Sequence, residues 1–212
     1  MPRHSRRFAR FAAPIALLVI GVSGCAPADT IGSTAQSTAP TLPTVPYAPS
    51  TAPAAPEAVD YLRLLPTAAE LTDTDDTFNQ QSQQSQPNGM PGASAFFVND
   101  KDTRAISDTF LVYQDAATAT ATLRQAAGTL PTLVNGGTPT PVPVGTDGVM
   151  IKGSYPNQEK DVTLMLFTEG PALVRLEFQS ANGDPTTDRF VASVGKMQQI
   201  ALRVGLPTPG TR

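Results

Sequence analysis

Few side chains in this chain could do covalent chemistry. There is one thiol, Cys25, and one imidazole, His4, in 212 residues. Ser193-Val-Gly-Lys196 has the spacing at which a lysine can activate a serine nucleophile. It sits sixteen residues from the C-terminus, no K-T-G sequence exists, and Ser107-Asp108-Thr109 is not the S-D-N that should follow it later in the chain. Chance is the better account of it. Asp73-x-Asp75-Asp76 begins like a calcium loop, but Phe78 and Gln84 stand where the loop needs Gly and Glu, so a solvated acidic turn is expected. Glu169 and Glu177 could be the paired carboxylates of a glycoside hydrolase. The pattern around them predicts instead a hairpin tip for Glu169 and a surface ion pair between Arg175 and Glu177.

Cys25 is the exception, because its surroundings explain it. The segment MPRHSRRFAR carries Arg3, Arg6, Arg7 and Arg10 and no acid; residues 11–22 are then apolar. Twelve helical residues span roughly 18 Å, too short for the ~30 Å core of a bilayer. A basic head, a short apolar body and a small-residue end describe a signal peptide. Val22-Ser23-Gly24 directly before Cys25 resembles a bacterial lipobox. The resemblance implies that the Cys25 thiol receives a diacylglyceryl group and that cleavage makes it the first residue of the mature chain. Buried methylenes contribute about 0.8 kcal/mol each, so such an anchor holds stably once more than one acyl chain is present. The plain alternative is cleavage after Ala26-Pro27-Ala28. Arg6-Arg7 partly matches a twin-arginine signal, though Phe8 comes one place early, and general secretion is the expected route.

Processing at Cys25 would change the charge balance. Four of the 15 basic residues and none of the 18 acidic ones lie in 1–24, which leaves 11 against 18 and a formal net charge of −7. That disfavours nucleic acid, which recruits Lys and Arg, and electrostatic docking to anionic headgroups. His4 leaves with the signal peptide. The remainder would hold neither imidazole nor free thiol, which excludes Ser-His or Cys-His nucleophilic pairs and any zinc, copper or haem site built on His or Cys. No cofactor, no metal and no catalytic residue is therefore expected.

These residues must be carried by something. Residues 26–60 hold seven prolines, many Ala, Ser and Thr, and no basic residue. Such a segment cannot offset the entropy of ordering itself, and in polyproline II it would reach at most ~110 Å. We expect 1–24 to be signal peptide, 25–60 lipidated cysteine and tether, 61–207 one domain, and 208–212 a tail. O-glycosylation of the tether and a bare linker fit its composition equally.

Within the domain, Thr67-Ala-Ala-Glu70 has capping-box spacing and predicts a short helix. The polar run NQQSQQSQPNG (79–89) predicts a loop, and 95–99 and 105–114 predict strands. Asp115 predicts a helix through Ala127 with Gly128 as its stop. Residues 135–139 form a turn, and 141–153 two short strands around Gly145 to Gly148. The segments 161–167 and 172–178 make a hairpin. Val174, Leu176 and Phe178 share one face of its second strand, and its first strand, apolar on both faces, is central. Asp184 as N-cap and Pro185 open a last helix with an apolar stripe through Phe190, Val194, Met197, Ala201 and Val204. Phe96, Phe97, Phe110, Phe167 and Phe178 fill a core more naturally than they line a cavity, and a lid role for the Gln-rich run is the weaker reading of it. Three helices and about six strands, mostly in hairpins, predict an α+β fold: an antiparallel sheet covered on one face by helices, the last one long.

The order of "FLVYQDAATATATLRQAAGTL", "VPVGTDGVMI", "VTLMLFTEGPALVRLEFQS" and "DPTTDRFVASVGKMQQIALRVG" resembles actinobacterial extracytoplasmic sensor-like domains. These occur outside some mycobacterial serine/threonine kinases and as free lipoproteins. The match covers residues 105–205, and kinase-type members carry disulfides that this chain lacks. The PsbP-like fold, another helix-covered antiparallel sheet, shares the pattern. The resemblance implies a non-enzymatic binding or sensing module, held to the membrane through Cys25, with a small-molecule, lipid or envelope-protein ligand. A carrier of an apolar ligand across the envelope is the alternative, and hydrolysis through Asp and Glu ranks below both.

Overall fold

The computed structural model describes residues 59–72 and 75–207. The signal peptide, the lipobox residues Val22, Ser23 and Gly24, Cys25, nearly all of the proline-rich segment, Asp73 and the 208–212 tail lie outside the described residues. The described residues, 59–72 and 75–207, fall in one compact unit.

Seven strands make a single sheet: β1 (Phe78–Ser85), β2 (Gly92–Asn99), β3 (Arg104–Val112), β4 (Thr140–Pro141), β5 (Thr146–Ser154), β6 (Lys160–Glu169) and β7 (Ala172–Ala181). The order across it is β1-β2-β3-β7-β6-β5-β4, every neighbouring pair antiparallel. Among the described residues three α-helices accompany it: α1 (Ala68–Leu71), α2 (Ala116–Leu133) and α3 (Asp188–Gly205). The class is α+β, with an antiparallel sheet and a long C-terminal helix, as the pattern predicts.

The helical cover is divided between the two faces. On β6, Met165 and Phe167 point to one side, with Val174, Leu176 and Phe178 of β7 and Ile106 and Phe110 of β3. Val191, Val194 and Leu202 of α3 close this core, together with Leu64, Leu65 and Leu71 of the segment leading into β1. Val162, Leu164 and Leu166 of β6 point the other way, with Ile151 and Leu173, and meet Leu123, Leu130 and Val134 around α2. That double burial is why β6 reads as largely apolar on both faces. Each fully buried leucine or phenylalanine in these layers contributes about 1.5–3 kcal/mol.

Several local expectations are corrected. Residues 79–85 are not a loop: they form most of β1, paired antiparallel with β2 around a bulge between Gln80 and Ser82. Side chains from 79 to 85 are exposed, so polar residues suffice, because only the backbone is engaged. Helix α2 does not stop at Gly128 but runs on past Pro131. Leu130 and Val134, both buried, hold its last turn to the sheet, and this outweighs the loss of the N–H at Pro131. The two strands over 141–153 are a two-residue β4 and a nine-residue β5. Asp184 is not the N-cap of α3: Thr187 is, its Oγ1 accepting from Phe190 N at 3.4 Å. The buried stripe of α3 is Val191, Val194, Gln198 and Leu202, while Val204 is 81 % exposed. Gly195 explains the rotation. A Cβ there would stand 2.8 Å from Met165 Sδ, so its missing side chain lets this line of the helix press closest to the sheet. The predicted capping box is present, with Thr67 N donating to Glu70 Oε2 at 2.7 Å.

Candidate functional site

Arg104 opens β3, directly opposite Ser180 of β7. Asn99 shapes the turn that delivers it: its Oδ1 accepts from Thr103 N and Arg104 N, both at 2.9 Å. The guanidinium is 19 % exposed and faces two carboxylates, Nε to Asp76 Oδ2 at 3.0 Å and Nη2 to Asp184 Oδ2 at 2.7 Å. Its Nη1 reaches Thr186 Oγ1 at 3.4 Å. The carboxylates differ in setting. Asp76 is well covered and also takes Asn99 Nδ2 at 2.7 Å and Lys101 Nζ at 3.4 Å. Asp184 is 65 % exposed.

Beside the guanidinium lies an aromatic cluster. Phe190, in the first turn of α3, stacks on Phe78 with ring centres 6.1 Å apart and meets Phe178 edge-on at 6.2 Å. Arg104, Asp76, these three rings and Thr186–Thr187 line a pocket of ≈ 100 Å³. It joins the ion-paired Arg104 guanidinium, with the carboxylates of Asp75 and Asp76 also in its lining, to an apolar wall, so an acidic group enters it only by taking a carboxylate's place on the guanidinium.

The sequence candidates fall elsewhere. Glu169 and Glu177 lie on opposite faces of the sheet and cannot act on one bond. Glu169 shares a face with Phe167 and is held by α3, accepting from Gln199 Nε2 at 2.8 Å and Arg203 Nε at 3.0 Å. The Arg203 hydrogen bond keeps its carboxyl below the usual range. Glu177 does pair with Arg175, at 2.5 Å, but its side chain is only 4 % exposed, so this is not a surface ion pair. It also accepts from Gln179 Nε2 at 2.7 Å and from the Tyr155 hydroxyl. Burial, then the Glu177 charge, raises that phenol's pKa. These bonds occupy the carboxylate and leave it structural.

Ser193 and Lys196 both lie on the exposed side of α3. Asp76 is committed to Arg104, Asn99 and Lys101. Among the described residues no group of three His, Cys, Asp or Glu could hold a metal, and no helix is long and apolar enough to cross a membrane. Phe97, Phe110, Phe167 and Phe178 are buried in the core.

Two residues escaped the sequence reading. Asp108 lies between Ile106 and Phe110 on the same face of β3, is 0 % exposed, and neither carboxylate oxygen has a partner. Burial pushes its pKa up to about 8. Gln198 of α3 is buried facing the same layer, and its amide is also unpartnered. The signal for the first was present: an acid at an inward position of an alternating strand.

No protein family matches the chain, and no curated protein matches it. Among solved structures it is similar to the extracellular domain of PknH from Mycobacterium tuberculosis, at 9 % identity and a TM-score of 0.48, over 68 % of this chain and 96 % of that one. It is also similar to a GTP-binding regulator from Thermotoga maritima, at 13 % identity and a TM-score of 0.36, over 65 % of this chain and 93 % of that one. The first is a domain of the kind that the order of strands and helices in the sequence resembles; neither likeness carries an activity over to this chain.

Proposed function

We propose that this chain is a non-enzymatic binding or sensing module of the cell envelope, held to the outer face of the membrane by a lipid on Cys25 and lifted from it by residues 26–60. Its ligand is a small acidic molecule taken at the Arg104 pocket. The observation that carries this reading is the unequal pair of carboxylates on Arg104. Asp76 is fixed by three partners, whereas Asp184 is exposed and exchangeable. A ligand carboxylate can take the place of Asp184 on Nη2 while its apolar part lies against Phe78, Phe178 and Phe190. A lipid carrier needs a cavity of at least ~300 Å³, and the Arg104 pocket, at ≈ 100 Å³, is not such a cavity. The anchor reading rests on the Val22-Ser23-Gly24-Cys25 sequence after its apolar run.

The test is an NMR titration of residues 58–212 with acetate and benzoate. The Arg104 Nε–H and Phe190 N–H signals should shift, Arg104→Gln should abolish the response, and Asp184→Asn should tighten binding by up to about 5-fold, the worth of an exposed ion pair. Shifts unchanged in Arg104→Gln would refute the site. For the anchor, Cys25→Ser should move the exported chain from the detergent phase to the aqueous phase.

A further inference from the structure

The outer face of α3 gathers what the rest of the surface lacks. Arg189, Ser193, Lys196, Ile200 and Val204 recur at steps of three and four, all exposed, opposite the buried line of Val191, Val194, Gln198 and Leu202. Among the described residues the exposed large hydrophobic side chains are Leu133, Ile200 and Val204, and the last two stand one turn apart on this face. The cations are sorted in the same way. Among the described residues every other lysine and arginine bonds to a carboxylate, a side-chain amide or a backbone carbonyl, whereas Arg189 and Lys196 bond to nothing. No acid follows Asp188 in the helix, and Asp188 itself is taken by Lys152.

A ridge of two aliphatics and two unpaired cations calls for a partner that is both apolar and anionic. A second copy of the chain does not qualify, because the face would set its cations against their own kind. A folded protein partner is poorly served too: a stable interface takes roughly 800 Å² from each side, and one convex row of side chains offers less. A bilayer has no such requirement. Its headgroups rearrange around a ridge, aliphatic side chains enter the acyl boundary, and cations stay among anionic headgroups. The position of the ridge agrees. The turn Leu62–Leu64 packs on the last turn of α3, with Arg63 Nη2 donating to Gly205 O at 3.4 Å and Leu64 lying against Gly205. The chain coming from Cys25 therefore enters the domain beside the apolar end of the ridge. A formal charge of −7 disfavours this contact for the chain as a whole, but charges farther off than ~8–10 Å are screened, and the outer face of α3 carries no acid. We infer that this face is a membrane-docking surface: Ile200 and Val204 enter an anionic bilayer while Arg189 and Lys196 pair with its headgroups. The tether then sets an equilibrium between a docked and a lifted domain. The choice of a bilayer rests on the proposed anchor at Cys25.

Residues 58–212 hold the compact unit and no cysteine, so they test the face apart from the anchor. At low salt they should co-sediment with vesicles of equal parts phosphatidylglycerol and phosphatidylcholine, not with phosphatidylcholine alone, and added salt should release them. Arg189→Gln with Lys196→Gln should weaken binding by roughly 30-fold. Ile200→Ser with Val204→Ser should weaken it by at least about 10-fold. Arg124→Gln, an exposed charge lost on α2, should change it by less than about 2-fold. An environment-sensitive fluorophore on Val204→Cys should shift to the blue with the anionic vesicles, and one on Ser82→Cys should not. No binding to anionic vesicles, equal binding to both kinds, or a double glutamine variant that binds like the wild type would overturn the inference. Capture of a polyglutamate peptide but not of vesicles would overturn it as well and give the face to an acidic protein. A missing anchor shows instead in the detergent partition of Cys25→Ser and leaves the vesicle results untouched, so the two readings fail separately.

Discussion

Asp108→Asn tests whether a carboxyl without a partner is held in the core between α3 and the sheet. The folded chain raises its pKa from 3.8 to about 8 through burial, and the unfolded chain returns it to the ordinary value. Between these values the folded state keeps a proton that the unfolded state has released. Stability from this group is therefore greatest below pH 3.8 and is lost as pH rises, by about 1.4 kcal/mol per unit, until pH 8. From pH 5 to 7.5 the wild type should lose about 3 kcal/mol. The window is clean, because residues 58–212 contain neither His nor Cys. At a urea slope of about 1–3 kcal/mol/M the midpoint should fall by roughly 1–3 M. Asparagine cannot titrate, so its profile over the same range should be nearly flat. Asp108→Leu should be flat as well, and more stable at pH 7.5, because it also removes the unpartnered polar atoms. Urea melts of the three proteins at four pH values decide the matter. Parallel profiles for wild type and Asp108→Asn would refute the reasoning.

Other perturbations follow from particular contacts. Gly153→Ala would place its Cβ 2.1 Å from the Asn135 carbonyl oxygen, a backbone atom that cannot swing away; the bridge between Asn135 and Ser154 should break, with a loss of about 2–3 kcal/mol in thermal melts. Glu177→Leu removes the acceptor of Tyr155, Arg175 and Gln179 together and should cost about 3–5 kcal/mol, while Glu177→Gln keeps one acceptor oxygen and should cost less; urea midpoints give the order. Thr187→Ala removes the cap of α3 and should cost about 1 kcal/mol, with hydrogen exchange quickening first at the Phe190 amide.

The parts of the fold legible in the sequence are those where side-chain burial dictates backbone form. In β7, Val174, Leu176 and Phe178 alternate with Arg175 and Glu177, and the period alone sets its faces. In β6 apolar residues on both sides announce an interior strand. Where form is set by the backbone or by distant contacts, the pattern is silent. β1 is a strand because β2 offers it a ladder, and nothing in NQQSQQS announces that. The Asp184 carboxylate does not cap α3 but pairs with Arg104, eighty positions earlier, and Thr187 caps the helix instead. The same distance hides the candidate pocket: Asp76, Arg104, Asp184 and Phe190 are brought together only by the β1–β2–β3 meander and by α3 returning across its end.

The two helical layers differ in how firmly they are fixed. Under α2 the sheet presents Ile151, Leu164, Leu166 and Leu173 to Leu123 and Leu130, and the buried Glu177 on that face has Tyr155, Arg175 and Gln179 as partners. Under α3 the layer encloses Asp108 and Gln198, four polar atoms without partners, each of which costs free energy that the surrounding phenylalanines and leucines must offset. Ionising Asp108 adds a charge to that layer, so α3 is the element whose hold on the sheet weakens as pH rises. Phe190, which walls the Arg104 pocket, belongs to this helix. A ligand gripping Arg104 and Phe190 together therefore pins the first turn of the less secure layer, and by linkage it must bind more weakly wherever that layer has loosened.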